Sequence, residues 1–182
     1  MKQYTDEELL AMFSGGDNPN YAFNLIVRKY QEPVYWHVRR LVVSHDDAND
    51  IVQDVFVKTW QALGKFRKDS ALYTWIYRIA TNEAFSFLNK KKRRFMLPLM
   101  DVSKQLEETL ESDVYYQGSE MEKKIQKAIL SLPDKQRAVF NLRYYEEMKY
   151  EDMSEILNTS VGALKASYHH AVKKIEQFVR GD

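Results

Sequence analysis

The stretch from Phe66 to Arg94 limits the fold more than any other part of the chain, because it predicts one long helix with two distinct faces. From Leu72 onward, apolar residues recur at spacings of three and four, which is the pattern of an α-helix with one buried stripe. That stripe comprises Ile76, Ile79, Ala80, Ala84, Phe87 and Leu88. No strand pattern of any length occurs elsewhere, so we predict an all-α fold for the whole chain.

The opposite face of this helix mixes aromatic and polar side chains. It carries Trp75, Arg78, Asn82, Phe85, Asn89 and Lys92, and the stretch ends in consecutive cations at positions 90–94. Aromatic rings stack on bases, while Arg, Asn and Lys contact base edges and phosphates, so this face is typical of single-strand binding. The alternative is a second core layer with a solvated basic end, since cations also suit a helix C-terminus.

Composition limits the classes of protein that fit. A chain of 182 residues with 45% hydrophobic content forms one large or two small domains, and two is the more natural expectation. The absence of cysteine excludes disulfides and thiolate metal ligands, and it fits a reducing compartment. No secretory signal and no membrane-length apolar run is visible, so we expect a cytoplasmic protein that does not insert into a membrane.

Neither metal nor nucleotide chemistry has a sequence signal. The four histidines are His37, His45, His169 and His170. Their spacing does not predict a metal site, and the chain has no glycine-rich phosphate loop. We therefore expect no cofactor, no metal, no catalytic residue and no enzymatic activity.

The N-terminal helices have recognisable start signals. Thr5 and Glu8 have capping-box spacing, and Asn18 precedes a proline that suits the first turn of a second helix, which Pro33 should kink or divide. A third helix is predicted over 47–63. Its buried stripe should comprise Ala48, Ile51, Val52, Val55, Thr59 and Leu63.

Acidic residues line another face of that third helix. Asp47, Asp50 and Asp54 align, with Gln53, Phe56 and Val57 beside them. One interpretation is a solvated acidic start that interacts well with the helix dipole. The other is a docking face, in which carboxylates flank an exposed Phe and meet a basic, partly apolar partner helix.

The chain changes character after position 94. Pro98 breaks the helical pattern, and 101–118 is acid-rich and weakly periodic, which predicts a flexible acidic linker. We therefore predict an N-terminal domain over 1–97, a linker over 98–118 and a C-terminal domain over 119–182.

Two closely spaced helices in the C-terminal part predict a helix-turn-helix. They cover 150–157 and 161–179, and a three-residue turn joins them. Leu164, Tyr168, Ala171, Val172, Ile175 and Phe178 should face inward from the second. Its outward face shows Ala163, Lys165, Ala166, Ser167, His169, His170, Lys173 and Lys174. Small residues permit close approach to a groove and cations suit phosphates, although a plain helical hairpin has the same pattern.

Three segments, in order, resemble the extracytoplasmic-function sigma factors, which are two-domain initiation subunits of bacterial RNA polymerase. The segment at 46–60, DDANDIVQDVFVKTW, resembles their polymerase-docking helix. The segment at 66–88, FRKDSALYTWIYRIATNEAFSFL, resembles the part that melts and reads the promoter −10 element. The segment at 132–176, LPDKQRAVFNLRYYEEMKYEDMSEILNTSVGALKASYHHAVKKIE, resembles the domain that reads the −35 element.

The resemblance implies roles for matching residues. Contact with the β′ coiled coil of core polymerase would fall to Asp47, Asp50, Gln53, Asp54, Val55 and Phe56. Contact with the −10 element would fall to Phe66, Asp69, Ser70, Ala71, Trp75, Arg78 and Asn82. Contact with the −35 element would fall to Arg143, Tyr150, Ala163, Lys165, Ala166, Ser167, His169, His170 and Lys173.

The match has departures and one competing interpretation. Ala163 stands where the family usually has a hydroxyl residue, and Ser167 and His170 stand where it usually has Arg. These changes should weaken phosphate clamping and alter the −35 sequence that is read. The implied partners are core RNA polymerase, promoter DNA and an anti-sigma factor. A stand-alone helix-turn-helix regulator would explain 150–179 but would leave the first ninety-odd residues without a role.

Overall fold

Helices account for all regular secondary structure in the computed structural model, which describes residues 4–16, 18–95, 99–113 and 118–181. The N-terminal helices are α1 (Asp6–Gly15), α2 (Pro19–Val42), α3 (His45–Leu63) and α4 (Leu72–Phe95). Helix α5 (Leu99–Glu111) follows. The C-terminal helices are α6 (Glu120–Leu130), α7 (Asp134–Tyr144), α8 (Tyr150–Leu157) and α9 (Val161–Arg180). The predicted all-α fold is confirmed for these residues.

Side-chain caps begin several of these helices where the sequence predicts them. The Thr5 hydroxyl accepts from the backbone of Glu8 while the Glu8 carboxylate accepts from the backbone of Thr5, which completes a capping box. Asn18 and Ser44 cap α2 and α3 in the simpler way, each through one side-chain oxygen. Pro33 was expected to kink or divide α2. It does not divide the helix, because α2 runs without a break over all 24 residues from Pro19 to Val42.

The N-terminal domain (α1–α4) is organised around the predicted long helix. Helices α2, α3 and α4 all pack against one another, and α1 covers α2. The stripe predicted for α4 is fully buried at Ile76, Ala80, Ala84 and Leu88, and Ile79 and Phe87 lie at its edge. This packing fixes which side of α4 remains open to solvent.

The C-terminal domain (α6–α9) contains the predicted helix-turn-helix. Asn158 ends α8 in the left-handed conformation (φ 48°), and Ser160 caps α9 through the backbone of Ala163. Leu164, Ala171 and Ile175 are buried as predicted. Phe178 was expected to face inward but is 40% exposed, whereas the next residue, Val179, packs against the core cluster of Ala171 and Ile175.

The acidic segment between the domains contains a helix that the weak periodicity did not predict. Helix α5 buries Leu106 and Leu110 in a small cluster with Val43 of α2 and Leu130 of α6. Arg39 of α2 also pairs with Asp113 just after α5. This part of the linker therefore lies against both domains. Residues 96–98, at the predicted end of the N-terminal domain and start of the linker, and residues 114–117 of the linker lie outside the described residues. The predicted domain boundaries remain a prediction.

Candidate nucleic-acid and protein interfaces

A small pocket opens where the loop after α3 meets the start of α4. Its cavity has a volume of about 270 Å³ and is lined by Ala62, Lys65, Phe66, Arg67, Asp69, Ser70, Trp75 and Arg78. Five of these residues belong to the predicted −10 set. The structure thus brings together residues that are separated by up to twelve positions in the sequence.

Two aromatic rings form the apolar wall of this pocket. The rings of Phe66 and Trp75 have centroids 4.9 Å apart and an interplanar angle of 39°. The neighbouring residues in the sequence do not predict burial of Phe66. Its side chain is nevertheless half-buried, because Trp75 packs against it. A pair of rings held by contact offers a pre-formed stacking surface, and such a surface costs little ordering when a planar ligand binds.

The rim of the pocket is polar and its backbone is constrained. Arg67 and Arg78 are exposed cations, and Asp69 and Ser70 supply hydrogen-bond acceptors. Lys68 adopts φ 59°, a left-handed conformation that is uncommon outside glycine and recurs at binding loops. The pocket is smaller than most drug-sized sites, so it suits one planar polar group such as a single base.

The remaining two residues of the predicted −10 set lie beside the pocket rather than in its lining. Ala71 is exposed just before α4 begins, and Asn82 is exposed on α4. Asn82 follows Arg78 by four residues and Trp75 by seven, so all three share one helix face. An extended strand leaving the pocket could follow this face.

Only some of the residues predicted to form the docking face on α3 are exposed. Asp50, Gln53 and Asp54 are exposed, whereas Asp47 is half-buried with its carboxylate 3.9 Å from Lys91 Nζ. Val55 is fully buried and Phe56 is 8% exposed, so neither side chain can form part of an outer surface. The expectation of an exposed Phe between carboxylates is therefore wrong, because Phe56 points into the domain core.

Other apolar residues take that place on α3. Val57 is 54% exposed and Trp60 is 39% exposed, and both continue the face that begins with Asp50 and Asp54. The indole of Trp60 is held by edge contacts with Phe13 of α1 and Phe23 of α2, at centroid distances of 5.6 and 5.0 Å. Val57 was already predicted beside the acidic residues, whereas Trp60 was missed, although it follows Val57 by three residues on the same helix face.

The helix-turn-helix presents the predicted −35 set on one open surface. Ala163, Lys165, Ala166, His169, His170 and Lys173 are all exposed on α9, and Ser167 is half-buried. Within the described part of the chain, no other helix covers this surface of α9. In the first seven residues of α9, the exposed side chains beside Lys165 are small. A helix of this shape can approach the floor of a groove.

Two predicted residues outside α9 join that surface through an aromatic ring. The Tyr150 ring has the Arg143 guanidinium at 5.1 Å and Lys165 Nζ at 5.7 Å from its centroid. Arg143 also donates to the backbone carbonyl of Met148 at 2.9 Å. The ring, at the start of α8, thereby gathers one cation from α7 and one from α9.

The histidines differ sharply in environment. His37 is fully buried, bonds to Thr81 at 2.8 Å between Nε2 and Oγ1, and has its pKa lowered to about 3 by burial and by Arg40. His169 and His170 are exposed neighbours with ring centroids 5.9 Å apart. Across the described residues, no cluster of three or more His, Asp or Glu side chains is arranged to hold a metal ion. No helix there combines the length and hydropathy needed to span a membrane.

Comparison with known families matches both domains. The family model for sigma-70 region 2 matches residues 26–94, and that for sigma-70 region 4 matches residues 122–175. The fold and its two open surfaces therefore define a transcription initiation factor, the class of protein that directs RNA polymerase to promoters.

Curated relatives cover almost the whole chain. The RNA polymerase sigma-H factor of Pseudomonas aeruginosa is 33% identical over 187 residues, covering 97% of this chain and 95% of that protein. The ECF RNA polymerase sigma-E factor of Escherichia coli is 34% identical over 189 residues, covering 98% and 96%. The chain belongs to the extracytoplasmic-function sigma factors. A stand-alone helix-turn-helix regulator would not account for the match over α2–α4.

Solved structures share the fold. The sigma factor RpoE of Bartonella quintana, in complex with the anti-sigma factor NepR, has a TM-score of 0.69 at 23% identity, covering 88% of this chain and 98% of that one. CnrH, in complex with the cytosolic domain of CnrY, has a TM-score of 0.69 at 22% identity, covering 97% and 98%.

Proposed function

We propose that this sigma factor reads promoters with two surfaces that work on different states of DNA. The exposed face of α9 reads the −35 element as duplex, and the pocket at the start of α4 captures a base of the melted −10 non-template strand. The observation that carries this proposal is the pocket itself, which brings together five residues of the predicted −10 set, including the two rings of Phe66 and Trp75 in contact.

At the pocket, stacking of the base on the protein offsets the free-energy cost of unstacking that base from the DNA. Extruding a base costs a few kcal/mol, whereas stacking on an aromatic side chain returns about 1–3 kcal/mol per base. Phe66 and Trp75 supply the stacking surface, and the exposed Arg67 and Arg78 neutralise phosphates beside it. Asn82 then contacts the next part of the strand, since its amide both donates and accepts.

At the duplex, α9 lies in the major groove, where all four base pairs are distinguishable. The small residues Ala163 and Ala166 allow the backbone of α9 close to the groove floor, and Lys165 reaches a base edge. His169 and His170 extend the same readout toward the next base pairs, while Arg143, Tyr150 and Lys173 contact phosphates.

Core polymerase is bound by the outward face of α3. Asp50, Gln53 and Asp54 provide acceptors, and Val57 and Trp60 provide an apolar anchor next to them. Tryptophan is among the residues most often found at energetic hot spots, and charges around it favour correct encounter. A basic, partly apolar helix pair such as the β′ coiled coil fits this face. We place this activity in the cytoplasm.

An anti-sigma factor is the third partner that we propose. The RpoE structure contains the anti-sigma factor NepR, and the CnrH structure contains the cytosolic domain of CnrY. A protein partner that binds the exposed surfaces on α3, α4 or α9 would compete there with polymerase or DNA.

The docking assignment is tested by reversing charge on α3. The double variant Asp50→Lys/Asp54→Lys replaces two attractions with two repulsions, so affinity for core polymerase should fall more than about 100-fold, or ~2.7 kcal/mol. The variant should keep the helical circular-dichroism signal and thermal midpoint of the parent, because both side chains are exposed. Affinity is measured by fluorescence titration of labelled factor with core enzyme.

A matched control has the same spacing and the same charge change on another helix. Glu151 and Glu155 are exposed on α8 and also lie four residues apart. Glu151→Lys/Glu155→Lys should bind core like the parent in the absence of DNA. Equal affinities for both double variants would refute the docking face on α3, and parent-like run-off transcription by the α3 variant would refute it independently.

A further inference from the structure

Two histidines stand side by side on the exposed face of α9. His169 and His170 have ring centroids 5.9 Å apart. Ala166 lies near the middle of this face, on the opposite side of the helix from the buried Leu164 and Ile175. Because successive residues of a helix are turned by about 100°, the two imidazoles project about 40–60° to either side of Ala166. A helix lying in the major groove would therefore direct one imidazole toward each side of the groove.

No contact with the rest of the protein fixes the protonation state of either ring. Among the described residues, neither His169 nor His170 takes part in a hydrogen bond or an ion pair. His45 differs, because both of its ring nitrogens lie within hydrogen-bonding distance of a partner, Tyr35 at 2.7 Å and Asn49 at 3.0 Å. The charge of the exposed pair is therefore set by the surroundings of α9, which include the DNA when it binds.

The charges on α9 near the pair are mostly positive. Glu176 is the sole carboxylate of this helix, and it lies about 10 Å along the axis from His169, with Lys173 between them. A nearby carboxylate would favour the protonated imidazole even without DNA, and α9 does not place one beside either ring. The charged residues of α9 within two turns of the pair are Lys165, Lys173, Lys174 and Glu176.

The helices packed against α9 do not supply such a carboxylate either. Helices α6, α7 and α8 cover the buried side of α9, and at the edge of its open face they present Arg143 and Tyr150. Their carboxylates have other partners or other directions. Asp134 pairs with Arg137, Asp152 accepts from Tyr73, Glu120 pairs with Lys123, Glu122 accepts from the backbone of Ser119, and Glu151 and Glu155 are exposed about 100–140° around α8 from Tyr150.

Duplex DNA brings the negative charge that this face lacks. Imidazole is the side chain that ordinarily changes its charge between pH 5 and 8, and nearby phosphates favour its charged form. A neutral imidazole donates from one nitrogen, whereas the protonated ring donates from both. The added donor suits acceptors on base edges in the major groove, such as O6 and N7 of guanine. On the duplex, a protonated His170 would thus replace the arginine that the family usually has at this position.

We propose that His169 and His170 couple recognition of the −35 element to proton uptake, so that the duplex is read most strongly when both rings are protonated. This proposal rests on the proposed function and adds to it a dependence on pH. A group that gains a proton on binding strengthens binding at low pH, and this contribution is lost as the pH rises through the titration range of the complex. Affinity for the −35 element and preference for its sequence should therefore both decrease from pH 6 to pH 8.

Titration of a −35 duplex with holoenzyme at two pH values tests the coupling. The parent should bind about tenfold more tightly at pH 6.2 than at pH 7.8. In the variant His169→Gln/His170→Gln each side chain keeps one donor and one acceptor but no longer titrates, so most of that ratio should disappear. Fluorescence anisotropy at constant ionic strength measures both ratios, and their difference removes the contribution of titrating groups on core polymerase.

A matched control makes the same chemical change at a histidine outside the DNA-binding sets. His45→Gln, at the start of α3, should keep the duplex affinity of the parent and its full ratio between the two pH values. His170→Arg tests the coupling in the other direction. Its permanent charge should strengthen binding at pH 7.8 by several-fold and reduce the ratio between the two pH values, because a guanidinium does not lose its proton in this range.

Sequence preference decides whether the protonated rings read bases. Selection of −35 sequences by the parent holoenzyme should give sharper preferences at pH 6.2 than at pH 7.8, and the double glutamine variant should give the same preferences at both. Equal pH ratios in the parent and the double glutamine variant would overturn the proposal. A gain at pH 6.2 that is the same for every −35 sequence would overturn it as well. Failure of the parent to prefer any −35 sequence at either pH would instead overturn the proposed function.

Discussion

The surface at the start of α4 is a pocket walled by two aromatic rings, whereas the predicted DNA-facing residues of α9 include no Phe, Tyr or Trp. The first surface is concave, and its rings support each other at 4.9 Å. The second is the open side of a helix with alanines, histidines and lysines. A pair of rings can stack on a base only after that base has left the DNA stack, whereas a helix with a smooth face fits the groove of an intact duplex.

Charge differs between the two surfaces as well. The pocket gathers three cations, with Arg67 and Arg78 at its rim and Lys65 in its lining. On α9, Ser167 and His170 stand where cations would be usual for the family, which leaves Lys165 and Lys173 more widely spaced. Duplex binding by the second surface should therefore depend more on shape and base contacts, and initial recruitment should depend strongly on the docked polymerase.

The largest expected effect separates the two surfaces by the state of the DNA. Trp75→Ala removes one ring and leaves Phe66 without its support, so open-complex formation should fall about 10- to 100-fold, in line with the 1–3 kcal/mol of one base stack. Permanganate reactivity of the −10 thymines measures this loss. Binding to core polymerase and recruitment to closed duplex should stay at the parent level, because α3 and α9 supply them.

Phe87→Ala is the matched control for Trp75→Ala. Phe87 is also a half-buried aromatic residue on α4, but it lies at the edge of the buried stripe and does not line the pocket. Its loss should cost some thermal stability without a specific melting defect. A template with a pre-melted bubble should recover much of the loss in Trp75→Ala. If Trp75→Ala melts duplex promoters as well as Phe87→Ala does, the pocket is not the strand-opening element.

Periodicity predicted the helices and much of the core, because the residues of each buried stripe recur at helical spacing within one short segment. Ile76, Ala80 and Ala84 follow the helical period, and so do Leu164, Ala171 and Ile175. The period also placed Val55 in the buried stripe of α3, in conflict with its place in the docking set. The structure agrees with the prediction from periodicity, because Val55 is fully buried.

The rest depends on contacts that are distant in sequence. Phe56 directly precedes the exposed Val57, and only the packing of α1, α2 and α4 decides that Phe56 turns inward while Trp60 stays out. Arg137 and Leu41 are 96 residues apart, so no local pattern could predict their contact. Helix α5 was missed because, among its described side chains, Leu106 and Leu110 alone are buried, too few residues to establish a period.

A smaller effect, confined to one base pair, should come from α9. Lys165→Ala should cost about 1–3 kcal/mol at a single position of the −35 element and relax the preference there. Systematic selection of −35 sequences by holoenzyme measures this change. Lys124→Ala removes an exposed cation from α6 and should leave the selected sequence unaltered. Equal weakening at every sequence would make Lys165 a phosphate contact, consistent with its position above the Tyr150 ring.

The smallest effect concerns salt and tests whether the cations of α9 act as a clamp. Lys173 is exposed two turns beyond Lys165 and is assigned to a phosphate. Each phosphate contact releases about one counterion, so Lys173→Ala should lower the slope of log K against log salt by about 1 and weaken duplex binding uniformly, by a few-fold at moderate salt. Fluorescence anisotropy of holoenzyme on −35 duplexes, across a range of potassium chloride, measures the slope. The Trp75→Ala variant should keep the parent slope on the same duplex, because its pocket contacts only opened DNA. A slope that changes in Trp75→Ala but not in Lys173→Ala would mean that the pocket domain, rather than α9, carries the duplex contacts, and the contrast between the two surfaces would have to be reversed.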